Sequence, residues 1–60
     1  MQADKKRIVR LLKTARGQMD GIIRMVEEDR YCIDISQQLM ATEAILNKAN
    51  KEILTAHLKC

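Results

Sequence analysis

The chain has 60 residues, 47% apolar and 32% charged, with a net charge of +3 at pH 7, no Pro, Trp or Phe, and a single Tyr. A chain this short is one domain at most and buries only about 60% of its unfolded surface. A core of that size rarely supplies more than about 3–5 kcal/mol without disulfides, a metal cage or a partner chain. Composition excludes collagen, low-complexity disorder and disulfide scaffolds, and size argues against a self-contained enzyme with a deep pocket. Association with further chains is the expectation.

The basic start, Met1-Gln2-Ala3-Asp4-Lys5-Lys6-Arg7, leads into no apolar segment of signal-peptide type. No apolar run approaches the roughly 20 residues of a membrane span. Two Cys without an export signal read as free thiols of a cytoplasmic protein. Lack of Pro and few β-branched residues favour helix throughout.

The first helix is predicted over about 4–28, with Asp4 as its N-cap. Its apolar residues Ile8, Leu12, Ala15, Met19, Ile22 and Val26 alternate steps of four and three, the heptad pattern of left-handed helix packing. Asp29-Arg30-Tyr31-Cys32 forms a short connection, so the second helix, about 33–59, returns antiparallel. Asp34 suits its first turn. Its stripe runs Cys32, Ile35, Leu39, Thr42, Leu46, Ala49, Ile53, Ala56, Cys60. One hairpin has too few faces to bury both stripes together with Leu11, Ile23, Met40, Ile45 and Leu54. The predicted fold is all-α: two long antiparallel helices per chain, paired in an antiparallel homodimer as a four-helix bundle. Ala41 and Ala44 place the dyad near the middle of helix two, where small side chains admit a partner helix.

Cys32 and Cys60 share one stripe but stand about 42 Å apart along a straight helix. Within one chain they form neither a disulfide nor a metal site. In an antiparallel dimer, Cys32 faces His57 and Cys60 of the partner copy, which gives two equivalent sites. Thiolate sulfur with one imidazole suits Cu(I) or Zn(II), and three ligands suit trigonal Cu(I) better than a structural zinc. The plainer readings are a small hydrophobe for Cys32, a dipole-complementing surface group for His57 and an inert thiol for Cys60. Convergence of the three in the dimer is what favours a site.

Charge is uneven. Residues 1–16 carry Lys5, Lys6, Arg7, Arg10, Lys13 and Arg16 against Asp4 alone, a net +5. On a helical wheel Lys6, Arg10, Lys13 and Arg24 cluster opposite the apolar stripe, with Gly17 and Gly21 on or beside the same face. Small residues among cations let a phosphate backbone approach, and a dimer doubles the surface, so duplex DNA is the expected partner. The plain alternatives are a solvated face for the charges and close helix packing for the glycines. No aromatic platform for single strands is evident, nor a compact helix-turn-helix. The narrow stripe pairs with helices better than it lies on a membrane. No carboxylate pair, Ser–His–Asp set or phosphate loop supports catalysis.

Lys13-Thr14-Ala15-Arg16-Gly17-Gln18, Asp20-Gly21-Ile22, Arg30-Tyr31-Cys32-Ile33-Asp34-Ile35, Lys48-Ala49-Asn50 and His57-Leu58 together resemble the copper-sensing operon repressor family, from about residue 5 onward. The resemblance implies an all-helical dimer of dimers that binds operator DNA in the apo form and is released by Cu(I) at an intersubunit Cys–His–Cys site. It matches Cys32 and His57 to the first two ligands and maps DNA contact onto Arg10, Lys13, Arg16 and Lys48. Tyr31 takes a supporting place beside the metal ligands.

Two departures stand out. The family's second Cys falls four residues after the His, whereas Cys60 falls three after His57. A third helix, which in the family helps build the tetramer and partners Tyr31 and the His, is not in this sequence. The expectation is a truncated form, or a divergent member using Cys60. Relatives that sense nickel, formaldehyde or reactive sulfur differ mainly at the ligand positions, so Ni(II) joins Zn(II) as an alternative ligand. A persulfide- or electrophile-sensing repressor using Cys32 and Cys60 is the second reading, and a plain helical oligomerisation module the third.

Overall fold

The computed structural model describes residues 1–59 and consists of two α-helices, α1 (Lys5–Glu27) and α2 (Cys32–Leu58), packed as an antiparallel hairpin with extents of 46 × 17 × 10 Å. Cys60 lies outside the described residues. Asp4 caps α1 as expected: its backbone is extended and its carboxylate accepts a hydrogen bond from the Arg7 amide at 3.2 Å. This satisfies one of the four amides that a helix start leaves without partners.

The turn has a defined stereochemistry. The Arg30 amide donates to the Met25 carbonyl at 2.9 Å and the Asp29 amide to the Val26 carbonyl at 3.1 Å. This is the paired closure of a Schellman motif, which needs a left-handed residue just past the cap. Asp29 takes that role with φ 53°. Glycine adopts this conformation without steric cost, while an Asp bears part of it. Asp29→Gly is therefore expected to stabilise the chain by about 0.5–1 kcal/mol, read as a higher urea midpoint at unchanged slope. α2 then starts at Tyr31, an N-cap without a side-chain hydrogen bond, so Cys32 stands in the first turn of the helix.

The core is thin. Among the described residues only Ile8, Ala15, Ile22, Thr42 and Ala49 are buried, and three of these five are small. They are one half of each predicted stripe, spaced by sevens. The other half does not pack within the chain. Leu12, Met19 and Val26 on α1, and Leu39 and Leu46 on α2, are 41–56% exposed. Leu11 and Ile45 are drawn in instead, each half-buried. The hairpin is thus rotated by a fraction of a turn from a packing that would use both halves, and one edge of each helix is left open.

Two polar pairs show which edges share a face. Arg7 Nε donates to Glu52 Oε1 at 2.7 Å, and Thr42 Oγ1 donates to Gln18 Oε1 at 2.8 Å. Arg7 and Glu52 lie on the flank of each helix away from the open apolar edges. Their contact makes that flank one continuous polar face, so the open edges share the opposite face. The ion pair is partly exposed, 41% and 33%, and contributes less than about 1 kcal/mol. Its importance is to register rather than to stability.

Candidate metal-ligand edge and basic face

The two chemistries read from the sequence fall on different faces. Cys32 and His57 lie within about 40° of Leu39 and Leu46 on the wheel of α2, so thiol and imidazole stand at either end of the open apolar edge. Cys32 is free and exposed, and His57 is exposed in the last turn of α2. Twenty-five residues of helix separate them, about 38 Å. No group of three or more His, Cys, Asp or Glu gathers at one point among the described residues. One chain does not complete a site. Tyr31 is 68% exposed, and the residues described give it no hydrogen bond to either donor.

Lys6, Arg10, Lys13 and Arg24 form a stripe along α1 on the far side from its apolar edge. Lys48 joins the same polar face from α2: the Arg7–Glu52 and Gln18–Thr42 pairs set the antiparallel register, which brings Lys48 level with about residue 12 of α1. Arg16 lies at the margin of this face. It sits about 120° round the helix from Arg10, beside Val9, Leu12 and the apolar edge. Lys13 stands between Arg10 and Arg16, about 60° from each, and lines one surface depression with Arg16, Val9 and Leu12.

The glycines also resolve. A Cβ placed on Gly17 or Gly21 would meet nothing within 4 Å, so neither is needed for packing between α1 and α2. Each costs about 1 kcal/mol of helix propensity and leaves bare backbone on the basic face. The part-buried Gln18–Thr42 pair escaped the sequence reading, because Thr42 reads as a seam residue and Gln18 as a surface one. Thr42, a polar residue on the heptad stripe of α2, was the only signal.

These features define a helical hairpin module with a cationic face and an open apolar edge that carries a thiol at one end and an imidazole at the other. The chain belongs to the metal-sensitive transcriptional repressor family, whose model matches residues 4–60. It is 53% identical over 57 residues to the copper-sensing transcriptional repressor CsoR of Mycobacterium ulcerans, covering 93% of this chain and 49% of that protein. It is 42% identical over 59 residues to CsoR of Mycobacterium tuberculosis strain H37Rv, covering 98% and 50%. With CsoR of Bacillus subtilis it shares 41% over 54 residues, covering 90% and 54%. The chain spans about half the length of the curated relatives it matches. The family is one of repressors, not enzymes. No helix among the described residues is long and apolar enough to cross a membrane.

Proposed function

We propose that this chain is the DNA-binding and metal-sensing part of a copper-responsive repressor. It dimerises antiparallel through the open edges of α1 and α2, and Cys32 of one copy meets His57 and Cys60 of the other to hold Cu(I). The carrying observation is the placement of Cys32 and His57 at opposite ends of one exposed apolar edge, too far apart to cooperate except between chains. The names of the copper-sensing relatives support the choice of Cu(I) over Zn(II) or Ni(II), and so does the softness of thiolate and imidazole donors. The polar face, with Lys6, Arg10, Lys13, Arg24 and Lys48, binds operator DNA in the apo form. Metal binding disfavours the DNA-competent arrangement by a coupling free energy of about 1–3 kcal/mol, the usual range for such switches. Further pairing of dimers into a tetramer is in keeping with the family resemblance.

Anaerobic titration of the reduced chain with Cu(I), against a competing chelator, tests the site. One Cu(I) per chain with sulfur–copper charge-transfer absorbance is expected. Cys32→Ala should weaken binding by at least about 100-fold, since a ligand rather than a supporting group is lost. Unchanged affinity in Cys32→Ala would rule the site out.

His57 on the same edge favours a metal over a dithiol sensor. A persulfide-linked product between Cys32 and Cys60 of neighbouring chains, seen by non-reducing mass analysis after polysulfide treatment, would reverse that preference.

A further inference from the structure

Gln18 is a polar side chain on the seam-side border of the basic face, and its amide is oriented. Its Oε1 accepts the hydroxyl of Thr42 at 2.8 Å, and Thr42 is only 3% exposed, so the oxygen is turned into the hairpin. The Nε2 end is thereby turned outward, and among the described residues no acceptor engages it. Around it the surface is unusually bare. Gly17 precedes it, Gly21 lies one turn on, and neither position has a neighbour that a side chain would touch. Arg10 lies about two turns before it and about 80° round the helix, while Lys13 and Arg24 lie about 120–140° round.

We infer that Gln18 is a DNA-contacting residue that donates through Nε2 to a phosphate oxygen, with Thr42 as the residue that points it. This rests on the reading of the polar face as the operator-binding surface and adds a neutral contact to the cationic ones. The chemistry selects phosphate over a base edge. A glutamine that reads adenine needs donor and acceptor together, and here the acceptor is occupied by Thr42. A donor-only amide at the border of the cationic stripe, with Gly21 one turn on leaving the backbone bare, matches a phosphodiester oxygen. A neutral donor positions the duplex without releasing a counterion.

That last property makes the role separable from every cation on the face and from a merely structural one. Gln18→Met and Thr42→Val both break the bond between the helices, but only Gln18→Met removes the donor. Binding is measured by fluorescence anisotropy over a salt series. The probes are a duplex selected by the wild-type chain from a random-sequence library, and the unselected library. Gln18→Met should bind both probes about 100-fold more weakly, as expected for one lost hydrogen bond to a charged group in each chain of the dimer, with an unchanged slope of log K against log salt. Thr42→Val, which keeps the donor, should stay within about threefold of wild type.

Equal losses in the two variants would overturn the inference and leave a structural pin. A loss in Gln18→Met confined to the selected duplex would overturn it in favour of base reading. Wild-type binding that shows no preference for the selected duplex would instead sink the operator-binding reading itself, a result distinguishable from the other two.

Discussion

Leu46→Glu is expected to leave the chain monomeric and largely unfolded at micromolar concentration. Leu46 is 41% exposed in the isolated hairpin, so on the single chain alone a surface Glu there would be close to neutral. The larger effect follows from what the hairpin lacks. Its buried side chains are two Ile, two Ala and one Thr, far less than 59 ordered residues require against their conformational entropy. Part of the remaining apolar area lies on the open edge and part further round α2 at Ile33, Met40, Leu54 and Leu58, and each Leu, Met or Val fully buried on the open edge contributes about 1.5–3 kcal/mol.

In the proposed dimer, Leu46 lies near the dyad, so one substitution enters the interface twice and places two carboxylates close together in an apolar setting. Loss of two buried leucines plus two uncompensated charges costs more than about 6 kcal/mol per dimer. Sedimentation equilibrium and the concentration dependence of helical circular dichroism read the outcome directly. Persistence of a stable, helical dimer in Leu46→Glu would show that copies meet by another face. Leu46→Met, which keeps apolar volume, should be tolerated.

The second large effect is electrostatic. In Arg10→Gln combined with Lys13→Gln, a dimer loses four cations from the polar face. If each neutralises one phosphate, the slope of log K against log salt should become shallower by roughly 3.6. Affinity in dilute salt should fall by at least about 1,000-fold, while the difference narrows as salt rises. Arg16→Gln is the internal control. Arg16 lies about 120° from Arg10 on the helix, at the border of the apolar edge, so its removal should move the slope by less than about 0.5 per chain. A slope change for Arg16→Gln as large as that for Arg10 would mean that DNA approaches from the apolar side, and the assignment of the two faces would have to be exchanged.

Much of this was legible in the residue order. Asp4 announced the start of α1 because a carboxylate there has amides to accept from, and the observed bond to Arg7 is that interaction. Cys32 and Cys60 were placed on one stripe by periodicity, which depends only on the 3.6-residue turn; His57 entered through the antiparallel pairing of two copies, and its place one step beside that stripe came from the helix of the folded chain. The turn was located by the interruption of the stripes, although its closure through a left-handed Asp29 was not. Asp is less usual than Gly at such a position, so composition carried no warning. Gln18 with Thr42, and Arg7 with Glu52, were out of reach, since each pair joins residues 24 and 45 positions apart and exists only at one helix–helix register.

Residue order alone settled that the chain is two helices and a short turn, that each helix carries a heptad stripe, and that soft ligands and cations occupy separate strips. It left undecided which half of each stripe meets inside the chain. Leu12 and Leu11, or Leu46 and Ile45, are equally good candidates for burial, because hydrophobic attraction follows area and has no direction. Tertiary structure made that choice. Hydrogen bonds are directional, and the Arg7–Glu52 and Gln18–Thr42 pairs form only when the helices turn their polar flanks toward each other. That rotation leaves Leu12, Met19, Leu39 and Leu46 on the outside beside Cys32 and His57, and gathers Lys48 with the cations of α1 on the other side.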